Sequence, residues 1–165
     1  MCGRGELRRS SVAGFLLSLV TLIFVSPSAA QSTDVAVIVN PRNSVTDVSS
    51  ADLRRIFAGE KRYWGDGTRI KPIVRAPGCH ERIVLLRVLR MSESEYKQYW
   101  SAQVFRGEAD TEPLSVPSFG MVKEAVIAFR GAIALVDAQN VRSGMDVKII
   151  RVDGHTPGDA GYPIH

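Results

Sequence analysis

Residues 69–90 read RIKPIVR-APG-CHERIVLLRVLR, and this passage decides the fold. Arg69 to Arg75 has the alternation and β-branching of a strand. Pro72 has no N–H to give a ladder, so it predicts an edge position or an irregular strand start. Ala76-Pro77-Gly78 then breaks the chain. The spacing predicts a helix from about His80 to Arg90. Its apolar residues (Ile83, Val84, Leu85, Leu86, Val88, Leu89) are dense enough for a mostly buried helix. A strand that passes through a short loop into a buried helix is the repeating unit of an α/β sheet.

The same alternation extends in both directions. Upstream, Val35 to Val39 is a continuous β-branched apolar run ending at Asn40-Pro41, the pattern of a strand covered on both faces. Ser49 with Asp52 three residues on predicts a helix start. Leu53, Ile56 and Phe57 share one face of that helix, and Gly59 stops it. Trp64-Gly65-Asp66-Gly67 is a turn. Downstream, Ser92 and Glu95 form a capping box, followed by Tyr96, Tyr99, Trp100 and Val104 on one helical face. That aromatic stripe is expected in the core. Leu114 to Val116 reads as a short strand. Pro117-Ser118 opens a helix carrying Phe119, Val122, Val126 and Phe129. Ala132 to Val136 is a buried strand, and Val147 to Val152 is the last strand. Strands and helices alternate, so the expected architecture is α/β with a mainly parallel sheet flanked by helices.

The first thirty residues belong to a different pattern. Arg4, Arg8 and Arg9 precede the uncharged run Val12 to Val25, and Ser28-Ala29-Ala30 supplies small residues at a cleavage position. This is the order of a secretory signal, with a cut expected after Ala30; an uncleaved anchor is the other reading. Residues 31–165 then form one domain of ordinary size. Of 21 basic and 17 acidic residues, Arg4, Arg8, Arg9 and Glu6 lie in the signal, leaving a net charge of +2. No basic block remains, which argues against a nucleic-acid partner. Cys79 is the single cysteine after the signal, so no internal disulfide can form; a buried or half-buried thiol is expected.

Chemistry is best placed at Arg75 to Arg82. Ligands of open α/β sheets bind beyond the carboxyl ends of strands. The start of a helix offers free N–H groups and a positive dipole end, which suit an anion. Arg75 could add a two-pronged contact. A plain connecting loop remains the alternative. Cys79, His80 and Glu81 with His155 lack metal-ligand spacing, and no nucleophile–base pair with an orienting third group is evident. No metal, cofactor or enzymatic activity is expected.

The chain resembles the substrate-binding proteins of phosphate ABC transporters, type 2 periplasmic binding proteins, and among them short single-lobe relatives. The resemblance rests on ordered pieces: Val35 to Asn40; Ser50 to Gly59, similar to the family's L-x-x-I-F-x-G helix; Trp64 with Asp66-Gly67; and Ile70 to Arg75. It continues through Tyr99-Trp100, Phe105-Arg106-Gly107, Gly131 to Val136 and Gly161-Tyr162-Pro163-Ile164. It covers nearly all of residues 34–165.

The resemblance implies one periplasmic-binding-protein-like lobe and a non-enzymatic, periplasmic solute-binding role. Phosphate or a similar small oxyanion would be held by Arg75, Gly78, Cys79, His80 and Ser118, the last at a second helix start. The family's Ser-Gly-Thr triplet is replaced here by Cys79-His80-Glu81, which removes two hydroxyl donors and adds a carboxylate. A single lobe also lacks the opposing face that encloses the ligand, so a homodimer or an envelope protein would supply it. The membrane would be met only through a transporter. The alternative is an interaction module that keeps the lobe but has lost its ligand.

Overall fold

Residues 34–165 are described by a computed structural model. The export segment expected over residues 1–30 lies outside the described residues. The central strand is β1 (Val35–Val39), every residue of which is buried. Around it the described residues form a six-stranded sheet. Its other strands are β2 (Asp47–Val48), β3 (Lys71–Arg75), β4 (Leu114–Val116), β5 (Ala132–Asp137) and β6 (Lys148–Val152), in the order β2-β6-β1-β5-β3-β4. The pairs β2–β6, β3–β4 and β3–β5 are parallel, while β1 runs antiparallel to both β5 and β6. The sheet is therefore mixed, and its three-stranded parallel part, β5-β3-β4, carries Arg75.

Period-two alternation sorts the side chains into two layers. Val35, Val37, Val39, Ile133 and Leu135 face α1 (Ser50–Phe57), α2 (His80–Leu89) and α3 (Glu93–Phe105). On the opposite face Ala36, Ile38, Ala132 and Ala134 pack under Val122 and Val126 of α4 (Phe119–Ala128). Three of those four sheet residues are alanines, which lets the single helix on that face lie close. Asn40, at the end of β1, ties the layers together. Its buried Nδ2 donates to the carbonyls of Val126 and Ile127, both at 2.9 Å. These are carbonyls of the last turn of α4, which have no partner within the helix.

Most local signals are realised. The Ser49 hydroxyl accepts from Asp52 N at 3.0 Å, and the Ser92–Glu95 capping box is complete. Tyr96 and Trp100 are core residues, whereas Val104 lies at the surface. α2 is less buried than its composition predicts, because Ile83 points outward. The tail after Thr156 lacks regular structure yet is tied down: Val35 N donates to Ile164 O, and the buried Tyr162 hydroxyl donates to Val35 O. Burial pushes the Tyr162 phenol well above its ordinary value.

Of the two expectations for Pro72, the irregular strand start holds and the edge position does not. β3 is an interior strand between β5 and β4, not an edge. Lys71 N donates to Gly131 O on the β5 side, so the ring nitrogen of Pro72 faces the β4 side. There the ladder starts only at Ile73–Leu114. The next pair outward would be Pro72 and Pro113, neither of which has a donor. The proline needs a gap in the ladder, and it has one without being on an edge.

Gly131 joins the start of β5 to β3 and to the turn at Trp64. Its carbonyl accepts from Lys71 N and from the buried Trp64 indole at 3.1 Å. A Cβ on Gly131 would stand 1.9 Å from the carbonyl oxygen of Arg69, which is backbone and cannot swing aside. Gly131→Ala should lower stability by about 3 kcal/mol, the upper part of the range for overpacking. A urea midpoint that is unchanged from the native protein would contradict this packing.

Candidate functional site

The parallel strands β3, β4 and β5 end on the same side of the sheet, at Arg75, Val116 and Asp137. Arg75 and Val116 are register partners, and Ala76 N donates to Val116 O at 3.0 Å. The chain leaves β3 into α2 and leaves β4 into α4. Two helix starts therefore rise from neighbouring strand ends.

The first start belongs to the loop Ala76 to Cys79. Gly78 has φ of +87°, which L side chains rarely adopt, and no atom lies where its Cβ would be. Cys79 is the N-cap of α2 but makes no side-chain cap bond. Its thiol is half-buried, as expected for a small apolar residue. His80 is exposed. The first N–H groups of α2 have no partner within the helix. Ser118, the N-cap of α4, accepts from Met121 N at 3.3 Å through its hydroxyl oxygen, leaving the hydroxyl proton free to donate elsewhere. The structure thus brings Arg75, Gly78, Cys79 and His80 into one strand–loop–helix unit and places Ser118 on the adjacent one. His155 follows β6, which is separated from β3 by β1 and β5, so it does not join Cys79 and His80.

Glu81 is the residue that sequence reasoning underestimated. Its side chain, 6% exposed, turns back from the first turn of α2 until Oε1 is 3.3 Å from Arg75 Nε. The same oxygen lies 3.5 Å from Asp137 N, at the end of β5. The carboxylate therefore sits beside the strand ends, next to the positive end of α2, where a negative charge is favoured. It neutralises Arg75 without satisfying it. Arg75 Nε and Nη1 are both buried and lack a hydrogen-bond acceptor among the described residues. Buried guanidinium N–H groups without acceptors are costly, so an oxygen ligand placed there would be stabilised.

The next residue fixes the loop from behind. Arg82 is nearly fully buried and forks onto Glu93, with Nε–Oε2 and Nη2–Oε1 both 3.0 Å. Its guanidinium also lies 3.8 Å from the centre of the Tyr96 ring. This clamp joins the first turn of α2 to the first turn of α3, and so holds the backbone that carries Cys79 to Glu81. The Arg82 hydrogen bonds hold the Glu93 carboxyl below its ordinary value.

Comparison with solved structures places this architecture. An ABC-type phosphate transport receptor from Vibrio cholerae superposes with a TM-score of 0.59 at 21% identity, over 81% of this chain and 55% of that one. A structure from Clostridium perfringens, assigned to phosphate ABC transporter substrate-binding proteins and holding bound phosphate, gives 0.60 at 18% identity, over 75% and 46%. PstS from Borrelia burgdorferi gives 0.57 at 17% identity, over 75% and 49%. The chain has their fold and spans about half their length. No protein-family model matches the sequence, and no curated protein matches it.

The clamp has a pH signature. A carboxyl with a depressed folded-state pKa stabilises the fold above its unfolded value, ordinarily 4.5, and loses that contribution as pH falls through the folded value. Glu93→Gln should cost about 2 kcal/mol at pH 7, between the ranges for buried and exposed pairs. The gap in melting temperature between native and variant should narrow below about pH 4, the carboxylate range. A gap that stays constant from pH 7 to pH 3 would exclude the ionised clamp as its source.

Proposed function

We propose that this domain binds a small oxyanion such as phosphate at the carboxyl ends of β3, β4 and β5, as a non-enzymatic, exported solute-binding protein. The carrying observation is the pair of buried Arg75 N–H groups without acceptors, beside the start of α2. Arg75 would supply the charge and the directed donors. Gly78 would let the anion approach the backbone, because no side chain screens it. The N–H groups at His80 and Glu81 and the hydroxyl of Ser118 would complete the donors, with Cys79 and His80 forming the wall. The likeness to proteins of phosphate transport supports this reading through the fold.

Glu81 sets the terms of binding. A dianion that reaches Arg75 meets a carboxylate already within 3.3 Å of Nε. The ligand must bind beside that carboxylate or displace it, and either course costs free energy. No second lobe is present among the described residues to exclude water from the ligand, which also lowers affinity. A second copy of the chain or an envelope protein would supply that cover, and a transporter would receive the solute.

Calorimetric titration of the exported domain with phosphate and sulfate tests the reading. Saturable binding in the range of roughly 0.1–1 mM is expected, about 4–5.5 kcal/mol, weakened at least tenfold by Arg75→Ala. Glu81→Gln removes the competing charge and should tighten phosphate binding by about fivefold, on the order of 1 kcal/mol. No detectable heat from either the native protein or Glu81→Gln would overturn the proposal. So would binding that is indifferent to Arg75→Ala.

A further inference from the structure

The other end of the parallel strands carries a second opening. A cleft of about 980 Å³ lies at the amino ends of β3, β4 and β5, with Pro72, Leu114 and Gly131 among its walls. Its origin can be read from the register. The β3–β4 ladder begins at Ile73–Leu114, and the preceding pair would be Pro72 and Pro113, which cannot supply N–H groups. The strands are left unzipped at this end, and the space between them stays open.

Two properties of the lining point to a ligand. The first is charge. Five basic residues (Lys61, Arg62, Arg69, Lys71, Arg130) face two acidic ones, Asp110 and Glu112, a net charge of +3. The whole described chain carries only +2, so its remainder is slightly negative. Arg69 is paired with Asp110, Lys61 with Asp52 and Arg130 with Asp66, which leaves Lys71 and Arg62 as the lining cations without a carboxylate partner among the described residues. Lys71 has no carboxylate within salt-bridge distance among the described residues; its Nζ sits 3.2 Å from the centre of the Phe129 ring. The second property is apolar surface that water still reaches. Phe129 and Leu114 are 38% and 42% exposed. Trp100 also lines the cleft, and its buried indole N–H has no acceptor among the described residues. An inorganic oxyanion would leave that surface wet, and a neutral hydrocarbon would leave the cations uncompensated.

We infer that this cleft binds an organic acid with an apolar body, a carboxylate or sulfonate bearing an aromatic or alkyl group. The acid head meets Lys71 and its neighbouring arginines, and the body covers Phe129 and Leu114. The site is separate from the one built on Arg75. It does not depend on the oxyanion reading, because it uses the opposite strand ends.

A matched pair of dyes tests the inference on the native protein. The exported domain is titrated with 8-anilinonaphthalene-1-sulfonate and with uncharged N-phenyl-1-naphthylamine. The sulfonate should bind at least tenfold more tightly, and 4-phenylbutyrate should displace it while inorganic phosphate does not. Lys71→Met and Phe129→Ala should each weaken the sulfonate at least fivefold, with Arg75→Ala leaving it unchanged. Both substituted positions are only partly buried, and melting curves confirm that the variants fold. Equal binding of the two dyes would overturn the inference, as would displacement by phosphate or loss of binding in Arg75→Ala. If the variants prove unstable, the dye comparison and the displacement on native protein decide alone.

Discussion

Burial of β1 on both faces is the constraint from which the rest of the structure follows. Five consecutive residues with no solvent exposure must be covered by two independent layers. One layer is provided by three helices and the other by α4 alone, so the fold cannot close with helices on a single side. The arrangement also demands that the backbone groups of β1 be paired: β5 runs along its whole length, β6 pairs Val37 to Val39, and Ile164 and Tyr162 bond Val35. Because β5 is thereby fixed against β1, β3 and β4 are fixed against β5. The position of Arg75 is then a consequence of sheet order, set by strands that contain none of the candidate ligand residues.

Arg75 shows how a site can be built and partly filled by the same chain. Its charge is brought into a largely buried position, where an uncompensated guanidinium would be expensive. Glu81 removes most of that cost by Coulomb attraction while leaving two N–H groups without an acceptor. Ion pairing and hydrogen bonding are thus separated at this arginine. The first stabilises the fold, and the second is left unmet. At Arg82, seven residues along, the two coincide in a bidentate fork onto Glu93. That arginine accordingly reads as a fixed part of the scaffold.

Much of this was legible in the sequence, and the failures have physical causes. Strands and caps were legible because they are local: Ser49 and Ser92 bond residues three positions away. The direction of β1 was not, since a strand buried on both faces has the same composition whether its neighbours run with it or against it. Pro72 left an edge and an irregular strand start both open, because the rule concerns a missing donor, and the partner's proline, on a distant segment, cannot be seen from β3 alone. The strand–loop–helix around Arg75 was readable from residues 69–90. The return of Glu81 onto Arg75 was not, because it depends on side-chain rotation toward the ends of β3 and β5. The cleft at the other end draws on segments scattered from Ile56 to Gly131, and no sequence window contains it.

The two ends of the parallel strands are only weakly coupled through solvent, and the length of β3 shows why. Lys71 and Arg75 are four residues apart on one strand, about 13 Å at the usual rise. The screening length at physiological salt is about 8 Å. Charge bound at one end is therefore attenuated before it reaches the other through solvent. The local environments also oppose each other. At the carboxyl ends, helix dipoles and an arginine face a carboxylate supplied by the chain itself. At the amino ends, a surplus of cations faces apolar surface and too few carboxylates. An anion entering the first end must compete with Glu81, whereas an anion entering the second finds Lys71 with only an aromatic ring for company. The end that the fold marks for a ligand is thus the more self-neutralised one, and the greater unneutralised charge lies where two facing prolines keep the sheet from closing.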